Sequence, residues 1–324
     1  MPWAVLVTGD HATIARAELE ARLGPASWLG ARVALTDASA DAIASLGFLR
    51  SAGGFVGHGK SLDALAVLCG DGDGSAAVHA ERLGGEGLSR SQVERRLGKA
   101  IADAGHRIDL KAPERTWLAW IDGDAVTVAE QRLIGATDHD HRGVERRAHF
   151  SPVSLRPRLA RALVHLTGCR PGDVVYDPFC GTGGIVLEAA MLGMRAMGSD
   201  RDPWMVQGTL GTLADVGPEP LDGDVFEADI GDAAALVGTV DGIATDLPYG
   251  GASTTNREDL AALYDRALAA FAAMLPAGHR AVIGHADTTL LGDVARHGFA
   301  MEQIHDEYVH KSLTRRFAVV KRLP

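Results

Sequence analysis

The second half of the sequence alternates short apolar runs with amphipathic segments of helical period. The apolar runs predict strands at 174–179, 195–200, 224–229, 241–250, 280–286, 301–309 and 317–322. The helical patterns begin at Gly184, Pro203, Asp259 and Asp287. Apolar strands separated by helices are typical of a parallel sheet covered on both faces, and the last two strands are expected to pair antiparallel. This half of the chain is therefore predicted to be α/β.

The first 134 residues carry a mixed α+β pattern. Strands are predicted at 3–8, 32–35, near Phe55, and at 106–110, 116–121 and 125–134, with helices at 12–23, 41–46 and from Ser89 or Ser91 to Ala104. Val93, Leu97 and Ile101 recur at helical spacing, so the last of these helices is expected to bury them. Residues 70–77 are predicted to be a turn or connector, residues 122–124 a tight turn, and residues 135–152 an interdomain linker.

The composition is that of a globular protein with more than one domain. Of 324 residues, 46% are hydrophobic and 23% are charged. The apolar runs are too short to cross a membrane, and the chain does not open on a signal-peptide pattern. The three cysteines and the histidines lack metal-ligand spacing. We expect a cytoplasmic protein that binds no metal and no membrane, with a monomer as the expected oligomeric state.

Positive charge is gathered into three segments of an otherwise acidic chain whose net charge is −10. Residues 88–117 hold seven Lys or Arg and four acidic residues, and residues 142–161 hold six Arg and one acidic residue. Residues 308–324 hold five basic residues and no acidic residue. Such gathering is expected where one face of a protein meets a polyanion, although a basic helix can also be a solvated face.

The segment DPFCGTGG joins a predicted strand to a helix through a glycine turn. Val186 occupies the position of the third glycine of a dinucleotide fingerprint, so a nicotinamide cofactor is disfavoured. Asp177, Asp200 and Asp229 close three successive strands, where ligands of such sheets bind. These carboxylates suit, in that order, a cationic amino group, ribose hydroxyls and an adenine amino group. Together they predict a site for S-adenosyl-L-methionine.

The segment DLPYG, residues 246–250, closes the next predicted strand. An exocyclic NH₂ group of a base or amide is a poor nucleophile because its lone pair is delocalised. The Asp246 carboxylate and the Leu247 carbonyl could accept its two hydrogens and direct the lone pair at the methyl donor. Pro248 would fix the backbone, and Tyr249 could stack on a flat heterocycle. The pattern therefore predicts methylation of such a nitrogen.

Four motifs, DPFCGTGGIVLEAA, GSDRDPWMVQG, TDLPYGGAST and HKSLTRRFAVV, resemble those of the THUMP-domain tRNA guanosine N2-methyltransferases, in particular the archaeal-type enzymes acting on guanosine 10. The resemblance implies an N-terminal ferredoxin-like unit at 1–60, a THUMP RNA-binding domain at 61–134, a linker at 135–152 and a class I Rossmann-like methyltransferase domain at 153–324. One departure is Leu247, where this family usually has Pro. Leu also occurs there in relatives that act at another tRNA position, which leaves the target nucleoside open.

The same resemblance implies residue roles. The catalytic residues would be Asp246, Leu247, Pro248 and Tyr249. The residues binding S-adenosylmethionine would be Phe150, Pro152, Ser154, Leu155, Asp177, Phe179, Gly181, Thr182, Gly183, Gly184, Asp200, Arg201, Asp229, Ile230 and Asp246. The residues binding tRNA would be Arg90, Arg95, Arg96, Lys99, Lys111, Arg146, Arg147, Lys311, Arg315 and Arg316.

Other functions stay open from the residues. An adenine-N6 nucleic-acid methylase and a protein glutamine methylase both place an acidic or amide residue before Pro and an aromatic residue. The predicted RNA-binding unit and HKSLTRR favour tRNA over these substrates. A methylase-like module that only binds RNA is disfavoured by the intact set of Asp177, Asp200, Asp229 and Asp246.

Overall fold

The computed structural model describes residues 1–70, 72–135, 142–143, 154–218, 223–248, 259–285, 294–310 and 313–324. The chain forms two compact units, Met1–Ala136 and Thr137–Pro324. Among the described helices, none is both long enough and apolar enough to cross a membrane.

The first unit is built on an eight-stranded sheet with strand order β2-β3-β1-β4-β8-β7-β5-β6. Its strands are β1 (Trp3–Val7), β2 (Ser27–Trp28), β3 (Val33–Thr36), β4 (Leu49–Gly59), β5 (Ser75–Gly84), β6 (Arg107–Ile108), β7 (Arg115–Asp122) and β8 (Ala125–Ile134). Its helices are α1 (Ala12–Leu23), α2 (Ala40–Ala44), α3 (Leu62–Leu68) and α4 (Arg90–Asp103). Strands from before and after residue 60 belong to this one sheet, in which β4 pairs with β8. The division into a ferredoxin-like part and a THUMP part stays a prediction.

Helix α4 begins where its sequence provides a capping box. The Ser89 side chain accepts from the Gln92 amide, and the Gln92 side chain accepts from the Ser89 amide. Val93, Leu97 and Ile101 are fully buried, as their spacing predicts. The tight turn is confirmed as well, since Gly123 joins β7 to β8 with a φ of 59°.

The prediction that residues 70–77 form a connector is wrong in part, because β5 begins at Ser75. The strand predicted near Phe55 is the middle of β4, which has 11 residues. The glycines of β4 interrupt its apolar pattern, so the sequence predicted only the part near Phe55. A Cβ at Gly53 would overlap the Glu130 carbonyl of β8, so close strand pairing explains this glycine.

The second unit contains a seven-stranded sheet with strand order β11-β10-β9-β12-β13-β15-β14. Its strands are β9 (Val174–Asp177), β10 (Arg195–Asp200), β11 (Val225–Glu227), β12 (Gly242–Asp246), β13 (Arg280–His285), β14 (Phe299–His310) and β15 (Leu313–Arg322). Strands β9 to β13 are parallel, and β15 pairs antiparallel with both β13 and β14. The predicted parallel sheet with an antiparallel edge is confirmed.

The helices of this unit are α5 (Pro157–Leu166), α6 (Gly184–Met191), α7 (Pro203–Val216), α8 (Ile230–Val237) and α9 (Leu260–Met274), with a 3-10 helix at Val294–His297. Helices α8 and α9 share a buried cluster with sheet residues that include Tyr176, Ile243 and Phe299. Helix α5 packs on α6. The helix predicted to begin at Asp287 falls largely outside the described residues.

Candidate active site

A cavity lies at the carboxyl ends of β9 and β12, the neighbouring strands at which the strand order reverses. Parallel α/β sheets bind their ligands at such a point because the loops diverge there. The lining residues are Ser154, Leu155, Asp177, Phe179, Cys180, Gly181, Thr182, Gly184, Ile185, Met205 and Asp246. Two buried carboxylates and a glycine turn therefore border one space.

The glycine turn has the backbone that its sequence requires. Gly181 and Gly183 have φ of 53° and 82°, in the left-handed region, and Gly183 is the N-cap of α6. A Cβ at Gly183 would stand 2.8 Å from Cγ2 of Thr209. The Gly181 amide donates to Oδ2 of Asp200 at 3.0 Å, so the end of β10 holds the turn. The turn thus places backbone amides at the start of a helix, beside the cavity.

Asp177, the last residue of β9, is buried at 3% exposure. Its Oδ1 accepts from the Thr245 hydroxyl at 2.7 Å and from the Phe179 amide at 3.1 Å. Burial raises the pKa of Asp177 to about 7, against the two hydrogen bonds that lower it, and the nearby charges of Asp200 and Asp246 raise it further. Among the described residues its donors are the neutral Thr245 hydroxyl and Phe179 amide, so a cation could bind this carboxylate without displacing another cation.

Asp200 and Asp229 are held by backbone amides. Asp200 accepts from the amides of Gly181 and Asp202, and its burial raises its pKa against these hydrogen bonds. Asp229 is the N-cap of α8, where it accepts from the Gly231 amide at 2.9 Å and contacts Arg266. Neither of the two lines the cavity that the described residues form. Both still stand beyond β10 and β11, next along the sheet from Asp177.

Asp246, the last residue of β12, turns its carboxylate across β13 toward β15. Its Oδ2 lies 3.6 Å from the Arg315 guanidinium, and its Oδ1 is buried with no hydrogen-bond partner among the described residues. Burial raises the pKa of Asp246 to about 7; the charge of Arg315 opposes this, and Glu307 raises it further. An acceptor atom is thus withheld from solvent beside the cavity.

The two residues after Asp246 are fixed by the core. The Leu247 side chain is buried, and its amide donates to the Gly284 carbonyl at 2.9 Å. The Pro248 carbonyl accepts from the Tyr264 hydroxyl of α9 at 3.1 Å. Tyr249 lies outside the described residues. The described part of DLPYG is therefore anchored to β13 and α9.

The other predicted cofactor-binding residues lie in different places. Ser154 and Thr182 join their hydroxyl groups at 2.9 Å on the cavity wall, with Leu155 and Phe179 beside them. Ile230 is buried in the core cluster that contains α9. Arg201 directly follows the end of β10, and its charge lowers the pKa of Asp200. Phe150 and Pro152 lie outside the described residues.

Arg315 does not lie on an exposed basic surface, so its assignment to tRNA binding stays a prediction that its burial does not support. Only 8% of its side chain is exposed, and it lies near Asp246 and Glu307. Its neighbour Arg316 pairs with Asp306 at 3.0 Å and is 30% exposed. Counting charges along the sequence cannot separate Arg315 from Arg316, because successive residues of a strand point to opposite faces of the sheet. Lys311 lies outside the described residues.

Two arginines of the basic segment 142–161 are buried as well. Arg142 and Arg161 both donate through Nε to the fully buried carboxylate of Glu188, at 2.9 and 2.7 Å. Arg142 connects the start of this segment to α6, and Arg161 connects α5 to α6. Because both are buried in these contacts, they do not line a path for RNA. Arg146 and Arg147 lie outside the described residues.

The cations predicted to bind tRNA on the first unit are exposed. On α4, Arg96 pairs with Asp63 through two hydrogen bonds of 2.9 and 2.6 Å, and Lys99 pairs with Asp103. Arg90 lies 3.6 Å from Glu94, and Arg95 donates to the Ser91 carbonyl. Lys111 is exposed on the turn after β6. Much of the positive charge of α4 is therefore balanced by neighbouring carboxylates.

Three residues around the two buried carboxylates were missed by sequence reasoning. Thr245 hydrogen-bonds Asp177, Gly284 makes room for the Asp246 carboxylate, and Glu307 faces Arg315. The position of Thr245 directly before Asp246 is a signal that could have identified it. The other two depend on strand pairing that the sequence does not show. Among the described residues, there is no cluster of side chains suited to hold a metal ion.

Comparison with known proteins supports the reading of this fold. A family model described as UPF0020, RMKL-like methyltransferase domain, matches residues 144–316. The tRNA (guanine(10)-N2)-dimethyltransferase of Methanothermobacter thermautotrophicus is 33% identical over 251 residues, which cover 77% of this chain and 74% of that protein. The tRNA (guanine(6)-N2)-methyltransferase of Thermus thermophilus is 37% identical over 123 residues, covering 37% and 35%. The crystal structure of TrmN from Thermus thermophilus matches all of both chains with a TM-score of 0.61 at 24% identity, which supports the fold alone.

Proposed function

The chain belongs to the family of RMKL-like methyltransferase domains, and from this membership we propose that it is an S-adenosylmethionine-dependent tRNA methyltransferase acting on the exocyclic N2 of a guanosine. The observation that supports this best is the pair of carboxylates at adjacent strand ends beside the glycine turn, the buried Asp177 and the largely buried Asp246. Similarity to the guanine(10) enzyme over 77% of the chain supports position 10 of tRNA as the target.

The residues of the cavity fit S-adenosylmethionine. Within the described part of the chain, Asp177 accepts from neutral donors only, so its raised pKa falls once a cationic amino group binds beside it. The amides of the glycine turn and the start of α6 favour polar or anionic groups of the cofactor. Asp200 would bind the ribose hydroxyls, and Asp229 would face the adenine. When bound, the cofactor supplies an electrophilic methyl group on a sulfonium.

Asp246 and the Leu247 carbonyl would accept the two hydrogens of guanine N2. A carboxylate that accepts a hydrogen bond here directs the nitrogen lone pair at the methyl group and stabilises the charge that develops on nitrogen. Since the N2 proton becomes acidic once the nitrogen is alkylated, Asp246 can take it late. Tyr249 would stack on the guanine, which has to leave its helical stack first.

The first unit would bind the tRNA. Its exposed cations on α4 and Lys111 support this, and we keep the proposed division into a ferredoxin-like part at 1–60 and a THUMP domain at 61–134. The remaining units would be a linker at 135–152 and the methyltransferase domain at 153–324. The three cysteines are buried and unpaired, which suits a protein that works in the reducing cytoplasm.

A second target position is favoured by one residue. Leu247 stands where the guanosine-10 enzymes usually have Pro, and the chain is similar to a guanine(6) enzyme over 123 residues. The Leu247 side chain is buried in the core, so the substitution leaves the backbone carbonyl available. Guanosine 6 is therefore the alternative target.

Nucleoside mass spectrometry of unmodified tRNA tests the function. We expect N2-methylguanosine or its dimethyl form after incubation with the protein and S-adenosylmethionine, and neither with Asp246→Asn. Fragment mapping of the tRNA separates position 10 from position 6. Asp215→Asn, an exposed change on α7, is the matched control and should methylate like the native chain. A methylated adenine, or no methylated nucleoside, would reject the proposal.

A further inference from the structure

We propose that Arg315, held by Glu307, is a positioning residue that keeps the Asp246 carboxylate ionised and in one orientation. The inference rests on the proposed function, because it assigns Asp246 the task of accepting a hydrogen bond from the substrate amino group. It replaces the tRNA-binding role that the sequence suggested for Arg315.

The sheet topology brings the three charged residues together from separate strands. Asp246 pairs in register with Gly284 of β13, and Glu307 of β14 pairs with Arg315 of β15. The Arg315 guanidinium lies 3.6 Å from Oδ2 of Asp246 and 3.9 Å from Oε2 of Glu307. All three side chains are largely withdrawn from solvent, with exposures of 8% to 16%. A buried positive charge therefore stands between two largely buried carboxylates.

Gly284 is the reason that these charges can meet across a strand. Its position lies between Asp246 and β15 in the sheet, and a Cβ there would overlap Oδ1 of Asp246 and stand 2.9 Å from the Phe317 ring. Only glycine leaves the carboxylate room to lie against β13. The same contact limits the directions in which the Asp246 side chain can turn.

The charges around Asp246 oppose one another. Burial and Glu307 raise its pKa, whereas Arg315 lowers it. On β9, the ionised form of Asp177 disfavours the ionised form of Asp246 in turn. Among the described residues, His285 at the end of β13 is a further titratable side chain, and it is buried. In the described surroundings, Arg315 is thus the cation that favours the carboxylate form, and burial strengthens its effect.

The test measures the pKa of Asp246 directly and through the reaction. Carboxyl carbons of aspartate-labelled full-length protein are titrated by NMR, with Asp246→Asn to assign the signal. Single-turnover methyl transfer to tRNA is measured over the same pH range. Arg315→Met should raise the Asp246 pKa, and with it the acid limb of the rate, by about one unit or more. Glu307→Gln should move both to lower pH, and Arg315→Lys should stay near the native chain.

The control removes an ion pair of the same sheet. Arg280 of β13 donates to Glu302 of β14 at 2.6 Å, so Arg280→Met removes another arginine facing a β14 glutamate. Arg280→Met should leave the pKa measured from the Asp246 signal unchanged. Affinities for tRNA and cofactor, measured at pH 8.5, should change less than about twofold in Arg315→Met.

Two results separate the inference from the function. If the native chain methylates guanosine but Arg315→Met leaves the titration unshifted and weakens tRNA binding, the inference is wrong and the function stands. If the native chain forms no methylguanosine while the two substitutions move the Asp246 signal in opposite directions, the positioning role stands and the function falls.

Discussion

At the scale of a single residue, Asp177 lowers the stability of the folded protein when it is ionised, and the same carboxylate is the group proposed to bind the cofactor. Its ordinary pKa of 3.8 is raised to about 7 in the fold, so the folded protein disfavours the charged form. The folded state therefore binds more protons than the unfolded state between those values, and its stability falls as pH rises through this window. At pH 8 and without cofactor, Asp177 is largely ionised, and most of its unfavourable contribution to the stability of the folded protein is present.

We expect Asp177→Asn to stabilise the cofactor-free protein at pH 8 by about 2 to 4 kcal/mol, because the amide removes a buried charge and keeps the oxygen that accepts from Thr245 and Phe179. The gain should shrink toward pH 5. Calorimetry should show that cofactor binding is lost. Urea unfolding at the two pH values measures the stability, with Asp215→Asn as the exposed control. A loss of stability that is equal at both pH values would contradict the account.

At the scale of elements, α5 and α6 are joined by a buried charge cluster. Glu188 of α6 is fully buried and accepts from Arg161 of α5 and from Arg142. Removing one partner of a buried ion pair leaves a charge without compensation, which is strongly destabilising. This cluster holds the beginning of the described second unit against the helix that follows the glycine turn.

We expect Glu188→Gln to reduce the free energy of unfolding by about 3 to 5 kcal/mol, because two buried guanidinium groups then face a neutral amide. Glu302→Gln is the matched control at the surface, where Glu302 pairs with Arg280 and Lys321, and it should cost about 1 kcal/mol or less. Urea unfolding followed by circular dichroism compares them. Equal losses in the two variants would show that burial of the cluster is not what matters.

The sequence predicted elements where local signals agree with tertiary packing. Helix α1 was predicted to span residues 12–23, which it does, and β10 matches the run 195–200. Helices α3, α5 and α8 were not predicted. For α8 the reason is visible at Asp229, because an Asp at a strand end signals a ligand and an N-cap equally well. The structure shows Asp229 acting as the cap.

The candidate site was predictable in its carboxylates and not in their surroundings. Asp177, Asp200 and Asp246 were placed at strand ends from periodicity alone, and the structure brings Asp177 and Asp246 to one cavity. Arg315 could not be placed, because the sequence does not show the strand pairing that brings it beside Glu307 of β14 and Asp246 of β12. The predicted family and the α/β fold are confirmed by the family match and by the solved relative.

At the scale of the whole molecule, the net charge of −10 conflicts with binding a polyanion unless the cations are gathered. The structure removes cations from the surface of two of the three basic segments, since Arg142 and Arg161 of residues 142–161 and Arg315 of residues 308–324 are buried. The cations of α4 and Lys111 are exposed on the first unit, as are Arg50, Lys60 and Arg132. Affinity for tRNA should then depend strongly on salt and on few residues.

We expect the double change Arg95→Ala and Arg96→Ala to weaken tRNA binding and to lower its salt dependence, while cofactor affinity stays unchanged. Arg96 alone should contribute less than Arg95, because Asp63 already balances its charge. Filter binding over a salt series measures the first effect and calorimetry the second. Equal losses of tRNA and cofactor affinity would refute the division of labour between the two units.

The pair of carboxylates at the ends of β9 and β12 also bears on turnover. Methyl transfer leaves the spent carrier with one positive charge fewer than the donor, and a proton passed to Asp246 removes one negative charge from the cavity wall in the same turnover. Electrostatic attraction to that wall therefore favours the fresh donor over the by-product. The spent carrier keeps its amino group, so Asp177 would hold it as it held the donor, and only the part of the attraction that came from the sulfonium is lost.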